Sequence, residues 1–289
     1  MTYALHLAVM LGIYLMLAWS ANLPVGYAGL LTLAEAAFFG VGAYLYAILS
    51  VTAEWPSALA VLGAVAGCAV VGLVFAGLLL RFRGEAFAVA TIAFQMIVSG
   101  VFRNWTEVTG GSYGFADIPR PSAFGLTLDS PVAFAACVTL AVLAMAVALR
   151  LFSRSSLALA LRSLRDDEIA ATALGHSPER TFAAALTLSA VLASVPGCLF
   201  AAYVAYIDPA GFTIAESVFL LSILVVGGSG NMRGPLAGTA FMVLVPEVLR
   251  FLGVPDAVAG TVREIVYGLL LIVFMYFRPR GFCGDYAVR

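Results

Sequence analysis

The residue that first suggests chemistry is an acid in apolar company: Glu35, in Leu33-Ala34-Glu35-Ala36-Ala37-Phe38-Phe39. A carboxylate inside such a run marks a pathway or an ion site by default, because hydrocarbon does not tolerate an idle charge. Glu216, Glu247 and Glu264 also adjoin apolar runs, but at their ends, where a solvated helix terminus is the first reading. Gln95 lies mid-run in Thr91-Ile92-Ala93-Phe94-Gln95-Met96. It reads first as a hydrogen bond between helices and second as a lining residue. Glu35, Gln95 and Glu216 form the candidate set for a pathway.

Enzymatic chemistry has little to stand on. His6 and His176 are isolated, no carboxylates are paired, and no serine sits in a nucleophile elbow, so no catalytic residue is nominated. Cys68, Cys137, Cys198 and Cys283 lack metal or redox spacing, and no metal site is expected. Gly228-Ser229-Gly230-Asn231-Met232-Arg233-Gly234 superficially resembles a phosphate loop. Its spacing is one residue too long for a dinucleotide fingerprint, no Lys-Ser/Thr follows, and both flanks are apolar spans. Gly228, Gly230 and Gly234 are therefore expected to form a tight turn between helices, and the chain is expected to bind no nucleotide or other cofactor itself.

The densest charge lies elsewhere, in Arg165-Asp166-Asp167-Glu168, between two long apolar runs. Each such charge at a bilayer centre costs about 2.5–3.5 kcal/mol, so this segment is in water. Ala170, Ala171, Ala173 and Leu174 favour a short helix, Gly175 suits the left-handed position past its end, and Pro178 cannot continue it. Ser177 then reads as the N-cap of the next helix, with Pro178 at its first position and Glu179 in its first turn. The result is a stiff lever on the membrane surface. An ordinary solvated loop is the plainer alternative.

The elements that position these residues follow from composition. The chain is 63% hydrophobic and 11% charged, with a mean hydropathy of +1.04. That excludes an ordinary soluble domain, and a net charge of −1 argues against a nucleic-acid partner. Spans need about 20 apolar residues. The candidates are Tyr3–Ser20, Tyr27–Val51, Ser57–Leu80, Phe87–Phe102, Pro131–Leu151, Thr181–Tyr206, Ser217–Gly227, Pro235–Leu252 and Val262–Phe277. Backbone groups in lipid must be satisfied internally, so the expected fold is all-α, a polytopic transmembrane bundle of eight or nine hydrophobic segments. Residues 1–289 read as a single transmembrane domain. Its first run lacks the basic flank of a cleaved signal and is expected to remain as a span. Of 15 arginines, 11 fall on one side of the nine-span topology and 4 on the other. The positive-inside rule then sets residues 153–180 and the C-terminus in the cytoplasm and the N-terminus outside. The polar stretch 104–130, rich in glycine and proline, becomes a shaped extracytoplasmic loop.

Four stretches, in order, resemble motifs of the permease family of ABC importers for branched-chain amino acids, of LivH/LivM type and closer to LivM. They are Gly26-Tyr27-Ala28-Gly29 through Gly40-Val41-Gly42-Ala43-Tyr44, Thr109-Gly110-Gly111-Ser112-Tyr113-Gly114 with Ile118-Pro119, Arg165 through Gly175, and Gly227-Gly228-Ser229-Gly230 through Gly234-Pro235. Glu35 stands where the family commonly has a histidine or another polar residue. The resemblance implies a multi-pass subunit of the bacterial inner membrane that moves an amino acid, branched-chain or aliphatic. It also implies a second homologous permease, two ATPase subunits that hold the ATP and magnesium, and a solute-binding protein outside. It gives the charged segment a role as well. Arg165, Asp166, Asp167, Glu168, Ala170, Ala171 and Gly175 become the coupling segment that docks on an ATPase. Two alternatives stand beside it: the same architecture importing urea, an amide or a sugar, and an ion-coupled transporter working alone.

Overall fold

The computed structural model describes residues 2–123, 126–127, 130–251, 256–277 and 281–284; side chains are described outside 2, 122–129, 246–261, 263, 264 and 275. The side chains of Glu247, Glu264, Arg250 and Arg263 are thus left undescribed, and Arg278, Arg280 and Arg289 of the charge tally lie outside the described residues. Among the described residues the chain is helical apart from one short hairpin, β1 (Ser122–Ala123) with β2 (Leu126–Thr127). The helices are α1 (Thr2–Asn22), α2 (Glu35–Ala47), α3 (Ser57–Leu79), α4 (Glu85–Asn104), α5 (Thr106–Thr109) and α6 (Pro131–Phe152). After them come α7 (Ser156–Asp166), α8 (Glu168–Ala173), α9 (Pro178–Val204), α10 (Ile214–Gly227), α11 (Arg233–Phe251) and α12 (Asp256–Phe277).

Among the described residues, seven stretches are long and apolar enough to cross a membrane: 3–27, 35–52, 57–79, 85–104, 131–152, 178–204 and 209–227. Shorter apolar helices at Arg233–Val245 and Ile265–Phe274 account for the remaining two expected segments. The Ser217–Gly227 segment starts earlier than its hydropathy suggests, because Asp208 caps a turn at Pro209–Gly211 that feeds α10.

The Tyr27–Val51 run, which hydropathy leaves open as one span or a broken one, is not one helix. α1 passes into a π-helical turn at Leu23–Tyr27, the chain then runs non-helically to Ala34, and α2 starts only at Glu35. Pro24 removes a donor and Gly29 adopts φ +69°, which together stop the helix. The interrupted backbone is satisfied from outside. Leu30 N donates to Pro24 O at 2.8 Å, Leu33 N to Thr91 Oγ1 at 3.0 Å, and Ala36 N to Ser217 Oγ at 3.1 Å. Broken backbone at membrane depth survives only with such partners. α2 itself, 13 residues or about 20 Å, is buried on nearly every face.

The bundle centres on α2 and α9, with α1, α3 and α10 around them. Small residues allow the close approach: a Cβ on Gly42 would lie 2.6 Å from the Ser194 backbone. Aromatic rings fill the space between α2, α4, α9 and α10. Tyr44 stacks on Phe102 at 4.2 Å, and Phe39 meets Phe212 and Phe200, each at 5.2 Å. One end of the bundle carries the N-terminus and the 104–120 loop. There His6 stacks on Tyr203, Tyr46 donates to Pro119 O, and Phe115 pairs with Ile207. The opposite end carries α7, α8, the glycine turn and residues 281–284.

Candidate functional site

The expected lever is two helices rather than one. α7 begins at Ser155, whose Oγ accepts from Ala158 N at 3.2 Å, and it buries Ala158, Leu161 and Leu164 against the bundle. Asp167 then adopts an extended conformation (φ −155°, ψ 102°) and separates α7 from α8. Its Oδ1 accepts from Ala170 N at 2.9 Å, an N-cap on α8. Gly175 has φ +92° just past the helix end, as its sequence position suggests. Ser177 occupies the N-cap position of α9, but its side chain makes no cap bond, so the cap expected there is only backbone geometry with Pro178 following.

Each of the four consecutive charges has a partner within the chain. Arg165 donates to Gly26 O at 2.7 Å and pairs with Asp166 at 3.0 Å. Asp167 caps α8. Glu168 meets Arg83 at 3.4 Å, a half-exposed pair of small energetic weight. The outward face is instead apolar: Ile169 is 85% exposed and Leu174 81%. Sequence reasoning passed over both, although two large aliphatic side chains in a segment that must lie in water are the signal of a covered surface. Ala170 faces outward with them, Ala171 is buried against its own chain, and a Cβ on Gly175 would meet nothing within 4 Å.

Arg165 leads into a second cluster. Its stem lies over Gly29, where a Cβ would come within 2.7 Å of Arg165 Cγ. Gly26 packs against Gly230 so closely that a Cβ would overlap the Gly230 amide. Buried Asn22 bridges the contact: Gly230 N donates to Asn22 Oδ1 at 2.9 Å, and Asn22 Nδ2 donates to Asn231 O at 2.8 Å. Trp19 Nε1 donates to Met232 O, and Asn231 Oδ1 accepts from Arg233 N and Gly234 N at the start of α11. Phe282 N and Cys283 N then donate to Val226 O and Gly227 O. The stretch from Gly228 to Gly234 is thus a tight turn between α10 and α11, in which a Cβ on Gly234 would overlap Gly228 O. Asn22→Ala strips two buried bonds and is expected to destabilise the protein by about 2–4 kcal/mol, read as a lowered Tm in detergent.

Glu35, Gln95 and Glu216 occupy separate hydrogen-bonding environments. Glu35 is buried at the first turn of α2; Ser189 Oγ lies 2.8 Å both from Glu35 Oε1 and from Ser20 O. Its Oε2 has no hydrogen-bond partner among the described residues. Gln95 is fully buried and donates to Phe212 O at 2.9 Å, a carbonyl in the connection before α10 rather than in a facing helix. Ser99, one turn further along α4, donates to the same carbonyl at 3.0 Å. Ser99 also lines a cleft of about 370 Å³ with Arg103, Asn104 and Thr213. Glu216 stands in the first turn of α10, half-buried. Among the described residues no group of three or more His, Cys, Asp or Glu is placed to hold a metal.

Similarity to known proteins shows the family. The family described as branched-chain amino acid transport system / permease component matches residues 3–275. The high-affinity branched-chain amino acid transport system permease protein LivM of Salmonella typhimurium is 32% identical over 305 residues, 96% of this chain and 69% of its own. The protein of the same name from Escherichia coli is 32% identical, over 95% of this chain and 68% of its own. A probable LivM of Methanocaldococcus jannaschii is 24% identical over 130 residues, 42% of this chain and 37% of that protein. No solved structure matches. With a buried acid at a broken helix, an exposed apolar helix at one end and a family match over nearly its whole length, the chain belongs to the permease components of branched-chain amino acid transport systems.

Proposed function

We propose that this chain is a membrane subunit of an ATP-driven importer in the bacterial inner membrane, and that its cargo is a branched-chain or other aliphatic amino acid. It works beside a second homologous permease. Two ATPase subunits bind ATP and magnesium on the cytoplasmic side, and a solute-binding protein delivers substrate on the other. The single observation that carries the reading is the α8 face: Ile169 and Leu174, more than four-fifths exposed on a helix otherwise tied to its own chain, have no reason to stand in water unless a soluble protein covers them. In this reading the end with α7 and α8 is cytoplasmic, and the 104–130 loop faces the solute-binding protein. Residues 153–180 form the coupling segment, with contact made by Ile169, Ala170 and Leu174 rather than by the charge run.

Glu35 is the proposed polar station for the substrate ammonium. Support comes from its unpartnered Oε2 at the start of a helix broken inside the bundle, the kind of place where transporters set their binding groups. Gln95 and Glu216 are proposed for the same pathway by their polarity within apolar helices, although neither lines the 370 Å³ cleft.

The test uses the assembled complex in sealed vesicles. Leucine accumulation is expected to need both ATP and the solute-binding protein, and to survive collapse of the ion gradients. Uptake that follows the ion gradient and ignores ATP depletion would establish the ion-coupled alternative. ATP-dependent uptake of urea or a sugar with none of leucine would keep the architecture and replace the cargo.

A further inference from the structure

The charge run places a guanidinium where a surface contact is expected. Arg165 lies in the last turn of α7, two residues before the break at Asp167 that starts α8, yet its side chain is only 11% exposed. It turns back into the bundle, lays its stem in the notch above Gly29, and ends on Gly26 O at 2.7 Å. Asp166 Oδ1 accepts from Arg165 Nε at 3.0 Å and lies 3.0 Å from Nη2, so the fork is held from behind while Nη1 is directed at the carbonyl. A charged donor on a backbone carbonyl is among the stronger hydrogen bonds available to a protein.

The carbonyl it meets is no ordinary helix carbonyl. Gly26 lies in the π-helical turn that ends α1, and such turns concentrate at functional places. From Gly26 the non-helical stretch leads directly to Ala34 and to Glu35 at the head of α2. Gly26 also touches Gly230 of the turn between α10 and α11. Arg165 therefore joins the end of the α8 lever to both broken places in the bundle. The alternative route, from α8 through residues 174–177 into α9, crosses a Gly175 at φ +92° and a Ser177 without a side-chain cap bond.

We propose that Arg165 is a positioning residue for transport: its bond to Gly26 O transmits movement of α8 to the broken segment 23–34 beneath Glu35. This rests on the reading of α8 as the ATPase-docking helix, and the test separates the two. Arg165→Met keeps most of the stem and removes the guanidinium. In the full complex, reconstituted with its solute-binding protein and given ATP and leucine, this variant retains bound ATPase subunits and hydrolyses ATP. Leucine moved per ATP consumed falls on the order of tenfold, the value of one charge-assisted bond. Arg165→Lys, which restores a cationic donor, recovers part of the ratio. Gly29→Ala displaces the Arg165 stem from the opposite side and lowers the ratio without touching Arg165, and it decides the matter if Arg165→Met does not assemble. An unchanged leucine-to-ATP ratio in Arg165→Met or, failing its assembly, in Gly29→Ala overturns the proposal. So does loss of ATPase subunits from Arg165→Met, which would make Arg165 a docking residue. If doubly substituted Ile169 and Leu174 leave ATPase binding intact, the α8 reading fails instead.

Discussion

Replacing Ile169 and Leu174 together by aspartate leaves a complex that inserts and folds but no longer holds its ATPase subunits. Both side chains project away from the bundle, with exposures of 85% and 81%, so their removal costs the isolated subunit almost nothing. Fully burying a large aliphatic side chain in a partner is worth about 1.5–3 kcal/mol. Losing two corresponds to roughly 10²–10⁴ in affinity, before the added cost of burying carboxylates. Co-purification of the ATPases measures the effect directly, and ATP-dependent uptake falls with it. The control is Glu168→Ala, which removes a half-exposed pair with Arg83 at 3.4 Å and is expected to shift binding less than fivefold. If Glu168→Ala releases the ATPases and the double aspartate does not, the docking surface is charged rather than apolar.

That contrast bears on what a sequence can disclose. The membrane class and the helical bundle follow from hydropathy and from backbone groups that need partners in lipid, and both hold in the structure. Gly175 was legible because a left-handed residue after a helix has a compositional signature. The place of the break before α2 was not, because Leu30, Leu31, Leu33 and Ala34 are apolar and join the hydrophobic run on either side. What satisfies the interrupted backbone is a pair of distant acceptors, Thr91 on α4 and Ser217 on α10, which no local window contains. The charge run was legible only as charge, not as contacts. Four charges in a row suggest a partner, but Arg165 reaches Gly26, Asp167 turns onto its own helix, and Glu168 pairs with Arg83. Each of those partnerships is tertiary or depends on one ψ angle. The same holds for Asn22, an unremarked polar residue until the fold brings Gly230 and Asn231 to it.

Glu35→Gln poses the sharpest question about the interior. A glutamine is nearly the same shape, keeps an acceptor for the Ser189 hydroxyl now 2.8 Å away, and adds a donor. If Glu35 served only to pin α2 to α9, the amide would do so without the desolvation cost of a carboxylate, and the variant would be as stable or more so. A carboxylate at this depth, with Oε2 unpartnered, is instead suited to receive a cationic group such as an amino acid's ammonium. Glu35→Gln is therefore expected to insert, to keep its Tm within about 2 °C, and to bind its ATPases normally. Leucine uptake is expected to fall by about 10²-fold, the loss of one buried charge-paired contact of about 3 kcal/mol. Glu35→Ala loses both transport and stability, since it also opens a cavity beside Ser189. The discriminating quantity is leucine uptake by Glu35→Gln, since both readings give the same gap in Tm between the two variants. Full transport in Glu35→Gln would make this acid a helix pin and leave the substrate to other groups.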